Sequence, residues 1–187
     1  MPHEKYPKEV ILKDHSEVIL RPVAEDDIEG LVQFYQGMHL SFRWFLKEDP
    51  CDPAVIRKWI NNQELGKAFF LLAFCEGRIV GNTALLLRPY GGRKHVGRIR
   101  IIVSPEFARK QLGTWMVLDI TKRAMEMGLE KIRADFVVGI EDLAINAFRN
   151  MDFVKEGLLK DYIRDENGNY YDYQIMVKQL HKEWSDF

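Results

Sequence analysis

The chain has 187 residues, 47% of them hydrophobic, and a formal net charge of −1, values typical of one globular domain over 1–187. The near-zero charge gives no electrostatic basis for nucleic-acid or membrane binding, and no run of about 18 apolar residues could span a bilayer. The two cysteines fit neither a disulfide framework nor a metal site, and MPHEKYPKEV is no secretion signal. We therefore expect a cytoplasmic protein with reduced thiols and no metal.

The first third of the chain predicts two short strands and two helices. Residues 8–23 read as a strand pair around Asp14-His15-Ser16, or as an extended lead-in followed by one strand. A helix is predicted over 24–38, where apolar residues recur at helical spacing behind acidic residues. A second helix is predicted from Asp52, as its cap, with Pro53 in the first helical position.

The rest of the chain alternates strands and helices. Residues 67–90 predict two strands joined at Glu76-Gly77, and 93–104 predict another. A helix over 109–128 ends at Gly128, and a strand at 132–138 and a helix at 141–151 follow. Two last strands, 153–165 and 169–180, flank a turn at 165–168. This order predicts an α/β (α+β) fold with a mixed sheet flanked by helices.

The stretch VSPEFARKQLGTWMV, residues 103–117, is a junction between a strand and a helix. Ligand sites in such sheets lie where a strand ends and a helix begins. A helix N-terminus presents unpaired N–H groups that bind phosphate. Arg109 and Lys110 add positive charge there. From charge alone, these two residues either attract an anion or are simply solvated.

The same stretch resembles the acyl-CoA-binding motif of the GNAT superfamily of N-acetyltransferases, in which a strand ending V-x-P is followed by [Q/R]-x-x-G-x-[G/A]. Ala108 takes the Gln/Arg position, Gln111 the first glycine and Gly113 the last, so one of three signature positions matches. A residue other than glycine at 111 is tolerated if its φ is negative, as at the start of a helix. The opposing interpretation is that Gln111 blocks the phosphate cradle.

Further segments resemble the family in order and spacing, over about 17–178. They are Leu20-Arg21-Pro22, the hairpin at 77–81, the segment Arg93–Gly97, the return at 128–132 and the closing hairpin at 165–176. The segment at 93–97 resembles the branch with amino-acid and phosphinothricin acetyltransferases. The resemblance implies a mostly antiparallel GNAT sheet and acetyl-CoA as co-substrate. It implies these cofactor-binding residues: Ile101, Ile102, Val103, Ala108, Arg109, Lys110, Gln111, Leu112, Gly113, Thr114, Glu141, Ala144 and Phe148.

Departures from the family pattern fall on functional positions. Glu141 stands where the family has Asn, and Phe148 where it often has a tyrosine that protonates the leaving CoA thiolate. Phe148 has no hydroxyl, which removes a general acid typically worth ~10²–10⁴-fold. These changes keep open an alternative in which the protein binds CoA or an acyl-CoA but transfers poorly or not at all.

The remaining roles are those of a base and of acceptor contacts. His95 has a suitable intrinsic pKa for a general base, but a lone histidine at the start of a strand is more often a surface or structural residue, and water could relay the proton. Arg98 and Arg100 share one strand face and either bind an acceptor carboxylate or pair with nearby acids. Phe42, Trp44 and Tyr162 are candidates for the acceptor pocket. The expected acceptor is a primary amine of a small molecule, a peptide or a protein, and a homodimer is possible.

Overall fold

A computed structural model describes residues 6–180 and has one eight-stranded sheet. The strand order is β1-β2-β3-β4-β5-β6-β8-β7, and all neighbours are antiparallel except β5 and β6. The strands are β1 Lys8–Ile11, β2 Glu17–Pro22, β3 Ala68–Cys75, β4 Arg78–Leu86, β5 Val96–Val103, β6 Lys131–Val137, β7 Val154–Arg164 and β8 Tyr170–Gln179. The predicted fold class, a mixed and mostly antiparallel sheet, is confirmed.

In the described part of the chain, five α-helices cover the two faces of the sheet: α1 Ile28–Gln36, α2 Leu40–Arg43, α3 Pro53–Glu64, α4 Leu112–Glu126 and α5 Asp142–Arg149. One core packs α1 and α3 on the sheet around Leu31, Ile56 and Leu72. The other core packs α4 and α5 on the opposite face around Met116, Ile120 and Phe148. None of the helices within 6–180 is long and apolar enough to cross a membrane.

Local sequence signals set several boundaries as predicted. The Asp52 carboxylate accepts the Ala54 N–H at 2.8 Å and caps α3, with Pro53 in its first turn. Gly128 has φ 76°, the left-handed conformation in which helices commonly end. Glu76 and Gly77 both have positive φ and close the β3–β4 hairpin.

The helix predicted over 109–128 begins later, at Leu112. Arg109 and Gln111 have φ values of 63° and 71°, so residues 109–111 form a loop and the prediction for them is wrong. The short helix α2 was not predicted, because four residues are too few to show helical periodicity.

Candidate functional site

The parallel strands β5 and β6 separate near their carboxyl ends. Their ladder runs from Val96 opposite Lys131 to Ile99 opposite Ala134 and stops there. β5 continues to Val103 paired with β4, and β6 continues to Val137 paired with β8. A gap therefore opens between the two strand ends, and the main chain of Ile101, Ile102 and Val103 borders it on the β5 side.

The loop after β5 leads from this gap to the start of α4. The Ser104 N–H donates to the Val80 carbonyl at 2.8 Å, and a 3₁₀ turn at Pro105–Phe107 buries the Phe107 ring in the core. Ala108, Arg109 and Gln111 are exposed, and the first turn of α4 contains no acidic residue. The N–H groups of that turn, at Leu112, Gly113 and Thr114, can therefore donate hydrogen bonds to an anion, because no carboxylate of the turn competes for them.

The two basic residues of the loop have different surroundings. The Lys110 ammonium pairs with the Asp14 carboxylate at 2.8 Å and lies 4.8 Å from the centre of the Phe107 ring. Arg109 is exposed and enters no ion pair within 6–180. Arg109 is thus the cation of this loop that is available to a ligand.

Gln111 has the backbone conformation that glycine adopts most readily. With φ 71° and ψ 8° it is left-handed, so the negative φ that would make a side chain easy to accommodate is not present. The side chain points outward and makes no cap hydrogen bond. The loop therefore keeps a glycine-like path at the cost of strain, about 1–2 kcal/mol for an L-residue in this region. The side chain does not fill the loop.

Glu141 lies at the β6 side of the gap. Its Oε2 accepts the Val137 N–H at 2.6 Å. The next N–H, of Val138, donates to the main-chain carbonyl of Asp172 in β8 at 3.0 Å. Because successive N–H groups of a strand point to opposite edges, the Val137 N–H points toward β5 and into the gap. Burial raises the pKa of the Glu141 carboxyl, while the Val137 hydrogen bond and the charge of Arg100 oppose the rise.

Two of the predicted cofactor-binding residues, Ala144 and Phe148, lie within α5. Phe148 is 2% exposed and packs against Phe136 and Phe153, with ring centres 4.8 and 4.7 Å away. Ala144 is half-buried one turn earlier. Phe148 therefore belongs to the core in this structure and brings no proton donor to the site.

The two arginines of β5, Arg98 and Arg100, differ in whether they pair with a carboxylate. Arg98 pairs with Asp135 at 2.6 Å and donates to the Tyr173 hydroxyl at 3.0 Å. Arg133 pairs with the same carboxylate, whose side chain is 1% exposed. Within 6–180, no carboxylate pairs with Arg100, and burial lowers the pKa of its guanidinium. Arg98 is held in the sheet, whereas Arg100 has charge available at the gap.

The segment after α1 contacts the last hairpin, as the predicted acceptor region requires. The Trp44 indole N–H donates to the Arg164 carbonyl at 3.0 Å. Tyr162, 63% exposed, stacks on Tyr173 with centres 5.8 Å apart. Phe42 is also exposed. Trp44 and Tyr162 thus lie in one surface with the Arg98–Tyr173 pair, at the α1 face of the sheet.

His95 is not brought to this site. It immediately precedes β5, and its carbonyl accepts the Glu130 and Lys131 N–H groups where the parallel ladder begins. Ile101 lies six strand residues further on, or roughly 20 Å at about 3.3 Å per residue. Within 6–180, no cluster of three or more His, Cys, Asp or Glu side chains could hold a metal ion.

Three contacts of the site could not be predicted from the sequence. The pairing of Asp14 with Lys110 and the links of Asp135 and Tyr173 to Arg98 join residues far apart in the chain. The alternation of polar residues along β6 and β8 could have placed Asp135 and Tyr173 on one face, but not their partners.

An open mixed sheet that splits beside an anion-accepting helix start is the architecture expected of an acyltransferase of the GNAT type. The model of the acetyltransferase (GNAT) family matches residues 31–153. Because this match covers more than half of the chain, the protein belongs to the GNAT acetyltransferase family. The predicted family and its enzyme class, N-acetyltransferase, are thereby confirmed.

Solved structures agree on the fold. Ribosomal-protein-alanine N-acetyltransferase from Brucella melitensis has a TM-score of 0.76 at 21% identity, covering 86% of this chain and 99% of its own. YncA of Salmonella typhimurium, solved with acetyl-CoA, scores 0.78 at 16%, covering 91% and 98%. Phosphinothricin acetyltransferase from Sinorhizobium meliloti, also solved with acetyl-CoA, scores 0.76 at 19%, covering 91% and 92%. No curated protein sequence matches the chain significantly.

Proposed function

We propose that this enzyme transfers the acetyl group of acetyl-CoA to a primary amine of a small molecule or peptide that also carries an anionic group. The observation that supports this proposal is the gap between β5 and β6, which opens beside the start of α4 and is flanked by Arg100 and Glu141. The whole chain acts as one domain in this proposal.

The residues present fit acetyl-CoA. The exposed, acid-free start of α4 and Arg109 would hold the pyrophosphate, and the unpaired main chain of 101–103 would border the acyl-bearing arm. Bound there, acetyl-CoA supplies a thioester carbonyl carbon open to attack by an amine. Main-chain N–H groups of the β5 end are the donors available to the carbonyl oxygen.

Glu141 is the proton acceptor in this proposal. As the amine nitrogen forms its bond to the carbonyl carbon, it must lose a proton, and the C–S bond breaks to release the CoA thiolate. The Glu141 carboxylate lies at the gap, and its raised pKa makes it a stronger base than an exposed glutamate. Phe148 donates no proton to the thiolate, which leaves as a stable anion or is protonated by water.

Arg100 would hold the anionic group of the acceptor. A half-buried guanidinium without a carboxylate partner has lost part of its hydration, which a bound anion would replace. A carboxylate or phosphate would form charge-assisted hydrogen bonds with it. The aromatic surface of Trp44 and Tyr162 would then contact the rest of the acceptor.

The experiment is a panel of amines incubated with acetyl-CoA, read by thiol release. The panel pairs each acidic amine, such as an amino acid, with its neutral amide, and adds polyamines and short peptides. Acidic members should be acetylated best, and R100Q should raise their KM by about 10-fold or more, the loss of one charged hydrogen bond of about 1.5–3 kcal/mol. R93Q, which removes an exposed arginine just before β5, is the matched control.

The competing function is that of a CoA- or acyl-CoA-binding protein with little or no transfer. The absence of a hydroxyl at Phe148 favours this alternative. Saturable acetyl-CoA binding with no amine-dependent thiol release across the panel would support it. Preference for polyamines over acidic amines would instead contradict the assignment of Arg100 while leaving the transferase intact.

Two broader expectations accompany the proposal. The protein acts in the cytoplasm, where acetyl-CoA is produced, without a nucleic-acid or membrane partner. A homodimer could form through the long edge strand β7, whose Val154 and Leu159 side chains are exposed. Light scattering of the purified protein measures this directly.

A further inference from the structure

The turn between β1 and β2 rests on the loop that precedes α4. The Lys13 N–H donates to the Lys110 carbonyl at 3.3 Å, and the Asp14 carboxylate pairs with the Lys110 ammonium at 2.8 Å. One contact fixes the main chain of Lys110 and the other fixes its side chain. Lys110 is therefore held at both ends by a turn 96 positions earlier in the chain, counting from Asp14 at 14 to Lys110 at 110.

The turn itself is well ordered by its own hydrogen bonds. The Leu12 N–H donates to the Ser16 carbonyl at 2.9 Å, and the His15 N–H donates to the Leu12 carbonyl at 3.0 Å. The Ser16 N–H donates to Asp14 Oδ1 at 3.2 Å, while Asp14 Oδ2 faces Lys110. The turn can therefore act as a fixed support.

The loop needs such support. Lys110 lies between Arg109 and Gln111, both of which have positive φ without being glycine. Each would relax toward a right-handed conformation if nothing held it. Of the two glycine positions of the family motif, only the second, Gly113, is glycine here, and it lies in the first turn of α4, so residues 109–111 do not take their shape from glycines.

We propose that the β1–β2 turn is a positioning element for the co-substrate: Asp14 and the Lys13 N–H hold Lys110 so that residues 109–111 keep the shape that receives the pyrophosphate of acetyl-CoA. This inference rests on the proposed use of acetyl-CoA. It gives Lys110 a structural role and leaves Arg109 as the side chain that meets the phosphates. The turn lies outside residues 31–153, the part that matches the family model.

The ion pair persists over the working range of an acetyltransferase. Hydrogen bonding to the Lys110 ammonium lowers the pKa of Asp14 to about 2. The carboxylate is therefore ionised at any pH at which an amine acceptor reacts. The support should not change with pH in an activity assay.

The test compares D14N with the wild type. Asparagine keeps an oxygen for the Ser16 N–H but loses the charge that pairs with Lys110. E17Q is the matched control, because it removes an exposed acid from the same hairpin. Dissociation constants are measured by calorimetry for acetyl-CoA and for S-acetylpantetheine, which lacks the pyrophosphate and nucleotide.

D14N should bind acetyl-CoA about 2- to 5-fold more weakly, the range for an exposed ion pair. Its affinity for S-acetylpantetheine should not change, and E17Q should match the wild type for both ligands. Amide hydrogen exchange at 109–111 in the unliganded protein should be faster in D14N. A general loss of folding would not produce this selectivity between ligands.

Three results would overturn the inference. Tighter acetyl-CoA binding by D14N would mean that Asp14 competes with the phosphates for Lys110. An equal loss for both ligands would mean a general effect on the fold. Unchanged affinity and exchange would mean that the turn does not shape the loop. Failure of the wild type to bind acetyl-CoA would instead contradict the proposed function. The hydrogen-exchange measurement would still test whether the turn holds residues 109–111 in place.

Discussion

Replacing Gln111 by glycine should stabilise the protein, which is unusual for a glycine substitution. Gln111 has φ 71°, and its exposed side chain makes no cap hydrogen bond. Removing the side chain relieves about 1–2 kcal/mol of left-handed strain. Glycine costs about 0.5–1 kcal/mol in additional backbone entropy. The net gain in the free energy of unfolding should therefore lie between about 0 and 1.5 kcal/mol, with a central value of about 0.8 kcal/mol.

The matched control for this substitution is A108G, three residues earlier in the same exposed loop. Ala108 has φ −61°, so glycine relieves no strain there and only the entropic loss remains, about 0.5–1 kcal/mol. The two variants should therefore differ in sign. Urea unfolding monitored by tryptophan fluorescence gives both values, and a change of 1 kcal/mol corresponds to about 2–4 °C in Tm for a chain of this size.

Equal destabilisation by Q111G and A108G would refute the reasoning. It would mean that Gln111 does not adopt a strained conformation in solution, or that its side chain makes a stabilising contact. This result would also remove the main argument that the β1–β2 turn supports the loop, since an unstrained loop would keep its shape without support.

Two further predictions concern the gap and the sheet. E141Q should lower kcat by about 10²-fold and remove the rise of the rate with pH, because the wild-type carboxyl must lose its proton at a pKa that burial holds above the ordinary glutamate value. The same raised pKa means that the wild type loses unfolding free energy as pH rises through it, a loss that E141Q should not show. G97A should lower the free energy of unfolding by about 1–3 kcal/mol, because the added Cβ would lie 2.7 Å from Leu85 and 2.8 Å from Leu129. The control is G92A, whose Cβ would meet no atom within 4 Å and should change the stability little. Chemical denaturation measures both.

The elements of the fold could be predicted from the sequence because their boundaries depend on local chemistry. Asp52 and Pro53 begin a helix, Gly128 ends one, and Glu76-Gly77 closes a hairpin through positive φ. The helix start at 109 was wrong because neither arginine nor glutamine signals a left-handed residue, although both adopt that conformation here.

The site was less predictable because its geometry depends on tertiary structure. The predicted residues at 101–103 border the gap, but the point at which β5 and β6 stop pairing is set by neighbours on either side. The ordinary pKa of a histidine made His95 a candidate base, yet it lies just before β5, at the opposite end of the strand from the gap. Glu141 could be located by the family pattern, but its position at the gap follows only from the hydrogen bond to Val137.

The position of β8 determines the order in which the site can be assembled. β8 lies between β6 and β7, so β6 has no partner on that side until residues 170–179 are made. The last strand also supplies Tyr173, the hydroxyl that meets Arg98. A nascent chain halted after β7 would expose two unpaired strand edges and lack one wall of the acceptor surface, a state prone to aggregation. The acceptor surface is therefore complete only after β8 has been made.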